Sequence, residues 1–254
     1  MSKRPIARLF ALCATVAAAA VAITGCGGQW VFAAQAKPSH LDTVIDQMNA
    51  ASAKFTSAQA DLRQELFTKV VNDTAVQTGQ IYFQRKGSSM QMGMKMLPPG
   101  AKPGAAPSQI VEFKDGKLRN FNPEMNHVDE VSATGKNQSL AETFLTLGFG
   151  GSGTDLKKAW TIDDQGTGQM SDGSKTVSVE KLDLVSKDPA VLKNFTHITV
   201  WIDPVRDVTL KQVFFEASGG KASGDTRTAL FTNIRLNQPV DVNQFAIKCK
   251  GKCS

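Results

Sequence analysis

The chain has 254 residues, 41% of them hydrophobic and 20% charged, and a formal net charge of +6. This length is enough for one all-β domain or two small domains with their own cores. Three of the basic residues lie within the first eight positions, and the remainder carries a net charge of only about +3. With so small a charge, and without a cluster of basic and aromatic residues, nucleic acid is excluded as a partner.

The first 25 residues have the pattern of a secretory signal peptide. Lys3, Arg4 and Arg8 precede an apolar run over 9–23 that contains no charged residue. This run is too short to span a membrane comfortably, whereas its length is typical of the apolar region of a signal peptide. The sequence therefore predicts an exported protein.

Two cleavage sites compete after the signal peptide. Ile23-Thr24-Gly25-Cys26 resembles a bacterial lipobox, in which Cys26 would become the lipidated first residue of the mature protein. Cleavage after Ala36 would instead release a soluble periplasmic protein. We favour Cys26 because it adjoins the apolar run. On this interpretation residues 26–39 form a tether, and the protein faces the periplasm from a membrane of the cell envelope.

The spacing of apolar residues predicts one helix and then a domain rich in strands over 40–248. Apolar residues at 41, 44, 45, 48 and 51 repeat as on one face of a helix. From Phe55 the period falls to two, and turn signals such as Asp115-Gly116 separate successive strands. Later strands are predicted at 159–163, 176–184, 197–203, 208–218 and 227–236.

A short apolar helix interrupts this series of strands. Ser139 and Glu142 form a capping-box pattern, and Phe144, Leu145 and Leu147 give the helix an apolar face. The glycines over 148–153 end it and do not form a phosphate-binding motif. A helix between glycines can act as a movable lid. A further short helix is predicted at 155–160.

The fold class is mainly β with a few helices, built as a curved antiparallel sheet.

The most unusual pattern is a strand with methionine at every second position. Alternate residues share one face of a strand, so this pattern places four thioethers on one side of the sheet. The preceding strand puts Ile81, Phe83 and Arg85 on a single face. Because methionine is flexible, the face is interpreted either as packed core or as the wall of an adaptable apolar cavity. The four residues are Met90, Met92, Met94 and Met96.

A proline-rich loop over 97–107 follows the methionine strand. Its residues are apolar rather than charged, and its prolines cannot donate to a strand ladder. We interpret it as a mobile spacer, with an apolar finger that touches a membrane or an apolar ligand as the alternative.

The sequence offers little support for catalysis. His40, His127 and His197 lie far apart without metal-ligand spacing, and no nucleophile-elbow motif is present. We therefore expect no enzyme activity, no cofactor and no metal site. Cys249 and Cys253 can be bridged only if the chain turns between them, and in an oxidising periplasm a disulfide is expected. A redox or metal-binding pair is the alternative.

Several segments resemble the lipoprotein-sorting carriers of the LolA/LolB type. They are Phe55–Gln64, Gly79–Arg85, Asp115–Leu118 with Phe121–Pro123, and Phe231–Val240 with Phe245. The resemblance covers most of 41–247. It implies an incomplete antiparallel β-barrel, with a helical lid over an apolar cavity that holds acyl chains. It also implies that Arg85, at a strand end, holds the lid.

The chain departs from this family in three ways. Lys86-Gly87 stands where the family has a proline, and methionines replace the usual aromatic residues of the third strand. The proline-rich loop is long, at about the place where the anchored acceptor members carry a protruding apolar loop.

Together these features predict an exported lipoprotein that binds and transfers acyl chains of lipids or lipoproteins across the periplasm. Its partners would be those acyl chains, the membrane surface reached through the lipid at Cys26, and partner lipoproteins or a transporter. The alternative is an envelope-stress sensor or regulatory binding protein with the same fold. The predicted ligand-binding residues are Leu62, Ile81, Phe83, Arg85, Met90, Met92, Met94, Met96, Phe144, Leu145 and Leu147.

Overall fold

The computed structural model describes residues 38–87, 89–102, 104–133, 141, 145, 147 and 149–253. The predicted signal peptide, Cys26, Ala36 and Phe144 lie outside the described residues. Among the described residues, no helix is both long and apolar enough to cross a membrane.

Eleven strands form one antiparallel sheet, in the order β6-β5-β4-β3-β2-β1-β11-β10-β9-β8-β7. Strands β6 and β7 are the two edges, so the sheet does not close over the described residues. The predicted fold class, mainly β with an incomplete antiparallel barrel and few helices, is confirmed. The strands are β1 Ser57–Thr68, β2 Asp73–Lys86, β3 Ser89–Met96, β4 Gln109–Lys114, β5 Lys117–Asn122, β6 His127–Ser132, β7 Trp160–Ser171, β8 Thr176–Ser186, β9 Phe195–Asp203, β10 Val208–Ser218 and β11 Lys221–Leu236.

Helix α1, His40–Ser52, begins where the Ser39 side chain accepts a hydrogen bond from the Asp42 amide. Such an N-cap satisfies one of the amides that a first helical turn leaves unpaired. Residues 141, 145 and 147 are helical, within the segment predicted to be helix. The remaining helices are α2 Gly153–Ala159, α3 Pro189–Leu192 and a 3₁₀ turn at Val242–Phe245.

Strand β7 is the element that departs most from the sequence prediction. It continues to Ser171, eight residues beyond the predicted end at position 163. The added residues are mostly polar and glycine, so their own pattern does not favour a strand. They are extended because they pair with β8 along nearly its whole length, with an irregularity between Asp164 and Thr167.

Apolar side chains on the sheet form two separate cores. The first, here called the methionine core, contains Phe55, Ala58, Ala60, Leu62, Ile81, Phe83, Met92, Met96, Phe149, Val179, Val208, Leu210, Ala229 and Phe231. The second, here called the helix-covered core, contains Val44, Met48, Leu147, Leu156, Trp160, Leu182, Leu184, Val191, Phe195, Ile198, Val200, Ile202 and Phe214.

Candidate functional site

The register of β2 and β3 places the methionines where their alternation predicts. Met92 lies opposite Phe83, Met94 opposite Ile81, and Met90 opposite Arg85. Because directly opposed residues share a face, the methionines and the β2 row form one apolar surface.

Burial differs along the methionine row. Met96 is fully buried and Met92 is 9% exposed, whereas Met90 and Met94 are half-buried and pack against the rim of the methionine core. The packed-core interpretation therefore holds for part of the row, and the cavity wall stays a prediction. Met92 and Met96 are core, and Met90 and Met94 present thioethers at the edge of it.

The half-buried surface continues onto the next strands. Val111 lies opposite Met94, and Phe113 lies opposite Met92. Both side chains are half-buried and pack against the methionine core. We call Met90, Met94, Val111 and Phe113 the methionine surface. It is apolar, and half of it consists of the most adaptable side chain.

The apolar helix and the segment that follows it lie against the methionine core. Leu145 is half-buried against the methionine core, and Phe149 is 1% exposed within it. The Phe149 ring centroid lies 5.0 Å from that of Phe83 and 5.3 Å from that of Phe231. Phe149 was missed from the sequence because it stands among glycines, which we interpreted only as the end of the helix. The signal in the sequence that could have pointed to Phe149 was its position as a single aromatic residue between glycines.

Leu147 lies in the helix-covered core instead of over the methionine row. Its carbonyl accepts hydrogen bonds from Thr209 Oγ1, at 2.9 Å, and from Gln212 Nε2. These two buried donors fix the backbone with the Leu147 side chain turned away from the methionines. The segment thus contributes one side chain to each core.

Arg85 joins the end of α1 to this segment. Its Nη1 donates to the Ser52 carbonyl at 2.8 Å, and its Nη2 donates to the Gly150 carbonyl at 2.9 Å. The Ser52 hydroxyl donates to the same Gly150 carbonyl at 2.8 Å. The guanidinium also lies 5.7 Å from the centroid of the Phe55 ring. We call this set of contacts the Arg85 latch. That Arg85 holds a movable lid, as the resemblance implies, stays a prediction.

Only glycine fits at position 150. Its φ is +74°, and an added Cβ would lie 2.3 Å from an atom of the Phe55 ring. The glycine lets the carbonyl approach the guanidinium while the backbone passes over the ring.

A buried carboxyl group lies beside the latch. Asp207 is 3% exposed, and its carbonyl accepts from the Gly150 amide at 3.3 Å. Among the described residues, its Oδ2 has no hydrogen-bond partner. Burial raises the pKa of Asp207 to about 7, although the nearby Arg85 charge acts in the opposite direction. Sequence reasoning missed this residue, because Asp207 sits in a turn where exposure is the usual expectation.

The other predicted site residues lie beneath the surface. Leu62, Ile81 and Phe83 are 4%, 5% and 2% exposed, which places them in the methionine core. A cavity of about 490 Å³ lies elsewhere, with Asp61, Asp172 and Arg235 among its lining residues. That cavity is polar and includes no methionine.

The C-terminal tail carries the cysteine pair. Cys249 and Cys253 are joined in a disulfide, with their Cα atoms 5.4 Å apart, and Gly251 makes the turn at φ +74°. The Asn126 side chain accepts from the Lys250 amide at 2.8 Å and donates to the carbonyls of Lys250 and Lys252. The tail is thereby fixed to the turn between β5 and β6.

No family model matches the chain, and no curated protein matches it. Solved structures similar to the chain include a LolA superfamily protein from Nitrosomonas europaea, with 12% identity, a TM-score of 0.37, and coverage of 81% of this chain and 96% of that one. LprF from Mycobacterium bovis has 11% identity and a TM-score of 0.40, over 80% of this chain and 95% of that one. The MucA/MucB complex of Pseudomonas aeruginosa has 11% identity and a TM-score of 0.46, over 83% of this chain and 62% of that one. The LolA superfamily, which the sequence resembles, is thus represented among these structures. At such scores the likeness carries no argument about function, which must come from this chain's own geometry.

Proposed function

We propose that this protein binds acyl chains of lipids or lipoproteins on the methionine surface, as a carrier or acceptor in lipoprotein transport. The observation that supports this is the half-buried, apolar methionine surface at the rim of the core that Phe149 enters, with Arg85 bonded to the carbonyl of the adjoining Gly150. A binding role, rather than catalysis, agrees with the lack of a nucleophile-and-base motif in the sequence.

The energetics suit a carrier. Each buried CH₂ of an acyl chain contributes about 0.8 kcal/mol, so a fully enclosed chain would dissociate very slowly. Hydrogen bonds to a charged group contribute about 1.5–3 kcal/mol each, so a lid held by Arg85 can close over a ligand and still open. Methionines at 90 and 94 can repack around chains of different length.

The proposal places the protein in the cell envelope. Lipidation of Cys26 would hold the domain at a membrane surface, on a tether of residues 26–39, facing the periplasm. Partner lipoproteins or a transporter would supply and receive the acyl chains.

The anchor is tested by replacing its cysteine. Cys26→Ser should move the protein from the membrane fraction to the soluble periplasmic fraction, with Cys13→Ser as the matched control that stays at the membrane. A mature wild-type N-terminus at Lys37 would refute the anchor and favour a soluble carrier.

Acyl binding is tested with a fluorescent fatty acid and a melting curve on the same samples. The double variant Met90→Lys and Met94→Lys should lose binding and keep a melting temperature near wild type, because both side chains are half-buried. Gln84→Lys is the matched control: it lies on the opposite face of β2, is also half-buried, and should bind as wild type.

Two outcomes would contradict the proposal. If the double variant unfolds while Gln84→Lys does not, the methionine surface is ordinary core. If the folded wild type binds no acyl chain, the regulatory binding protein becomes the better hypothesis.

A further inference from the structure

Three side chains with metal-binding atoms meet at the β8-β7 edge of the sheet. His40 is the first residue of α1, Asp164 lies on β7 and Glu180 lies on β8. The distance from His40 Nδ1 to Asp164 Oδ2 is 2.6 Å, and that from His40 Nε2 to Glu180 Oε2 is 3.6 Å. One donor atom from each residue lies within 4.8 Å of the other two. Sequence spacing gave no sign of this group, because 124 residues separate His40 from Asp164.

The cluster has more negative charge than its neighbours balance. Two carboxylates face one imidazole, and among the described residues no lysine or arginine lies within ion-pair distance of either carboxylate. A protonated imidazole would pair with both carboxylates and still leave the group with one net negative charge. A divalent cation held by the two carboxylates and one nitrogen of a neutral imidazole would balance both negative charges.

Both carboxylates are already oriented by neighbouring donors. Thr167 Oγ1 lies 3.0 and 3.1 Å from the two oxygens of Glu180, and the Gly166 amide donates to Asp164 Oδ1 at 2.9 Å. The β7 irregularity between Asp164 and Thr167 brings both residues to the Glu180 side of the strand pair. Such outer contacts are a usual feature of metal sites, since they fix the direction of the ligand oxygens.

Access and ligand chemistry favour a transition metal. The Glu180 side chain is 10% exposed, whereas that of His40 is 50% exposed, so the site opens to solvent on the histidine side. An imidazole nitrogen with two carboxylates suits Zn²⁺, while Ca²⁺ and Mg²⁺ prefer oxygen ligands alone. Zinc bonds of about 2.0–2.1 Å separate tetrahedral ligands by about 3.3 Å. The His40 and Asp164 donors would therefore move apart by less than about 1 Å, and any donor pair farther apart, all within 4.8 Å, would move closer.

We propose that His40, Asp164 and Glu180 bind a divalent transition metal ion, Zn²⁺ being the ion that fits best. The ion would tie the start of α1 to β7 and β8, while the Arg85 latch holds the end of the same helix. This inference does not depend on acyl binding, since no member of the group belongs to the methionine surface.

The test uses Zn²⁺ on full chains freed of metal with EDTA. Isothermal titration and thermal melting with ZnCl₂ should show one bound equivalent and a raised melting temperature for the wild type. Asp164→Asn and His40→Gln should lose that equivalent and the melting shift. Asp163→Asn is the matched control, because Asp163 is the adjacent, exposed aspartate on the opposite face of β7, and it should behave as wild type.

Every variant retains the cysteines, so zinc bound there would be the same in Asp164→Asn and Asp163→Asn. A difference between these two variants therefore reports on the proposed site. If Asp164→Asn and His40→Gln keep the stoichiometry and shift of Asp163→Asn, zinc binds elsewhere and the proposal is wrong. A wild type that takes up no zinc overturns it as well, and leaves His40 as an ion-pair partner only. His40→Gln keeps the test valid if Asp164→Asn does not fold, because the His40 side chain is half-exposed.

Discussion

The two apolar cores lie on one sheet and differ in how completely they are covered. In the helix-covered core, Leu182, Leu184, Ile198 and Val200 are all 0% exposed. Helix α1 adds Val44 and Met48 to this core, and α2 adds Leu156. The methionine core instead has a half-buried rim that continues across β3 and β4.

The residue types follow the same division. The strands of the helix-covered core present mainly branched aliphatic side chains, which have few rotamers and pack in one arrangement. The rim of the methionine core presents unbranched thioethers, which accept several arrangements at little cost. The comparison indicates that one half of the sheet is fully covered, whereas the other presents side chains that can change their contacts.

The largest expected effect is on the free energy of unfolding when one side chain is truncated at each of the two cores. Leu184→Ala should lower the free energy of unfolding by about 2–5 kcal/mol, because it opens a cavity in a fully covered core. Met94→Ala should lower it by only about 1 kcal/mol, since that side chain is only partly buried, at the rim of its core. Urea denaturation measures both. Equal losses would mean that Met94 is ordinary core and would remove the distinction.

The second prediction concerns the buried carboxyl group beside the latch. The pKa of Asp207 is raised to about 7 from its ordinary value of 3.8, so the folded state binds the proton more tightly than the unfolded state. Stability should therefore fall as the pH rises from 4 to 7, and the loss should be complete above pH 7. Asp207→Asn should remove this loss and raise stability at pH 8 by on the order of 2 kcal/mol.

Melting temperatures between pH 4 and pH 8 test this prediction, and Asp115→Asn is the matched control. Both aspartates have φ of +54°, a conformation that asparagine tolerates well, but Asp115 is exposed in the turn between β4 and β5. A gain in Asp115→Asn as large as that in Asp207→Asn would assign the effect to the backbone instead of the buried charge.

The third prediction concerns the latch itself. Arg85→Leu removes the hydrogen bonds to Ser52 and Gly150 and should lower stability by about 1.5–3 kcal/mol. It should leave an acyl ligand bound but transferred more slowly, because the leucine extends the apolar row as the latch is lost. Fluorescent fatty acid binding and transfer to acceptor vesicles measure the two steps separately.

Arg63→Leu is the control for this variant, since Arg63 lies on β1 and pairs only with Glu65 among the described residues. It should change neither step. Arg85→Leu should also raise the pKa of Asp207 further, because the positive charge that lowers it is gone. Transfer at the wild-type rate in Arg85→Leu would contradict the role of the latch.

Local patterns in the sequence were enough to predict which side chains share a face of a strand and where a hairpin turns. Alternation alone placed the four methionines on one face, and the register of β2 and β3 agrees with it. Asp115-Gly116 predicted a tight hairpin, and both residues have positive φ. These features depend on neighbours within a few positions, where backbone geometry fixes which side chains share a face.

Tertiary structure decided the features that depend on distant partners. The polar end of β7 is extended only because β8 pairs with it, and Phe149 enters the methionine core because Arg85 and Asp207 hold Gly150 beside it. The burial of Asp207 and the meeting of His40 with two carboxylates likewise join segments far apart in the chain. The sequence by itself determined the period, the turns and the face of each strand, because these are local. The strand order, the curvature and the position of the helices determined which faces are covered and which charges meet, and no local pattern encodes them.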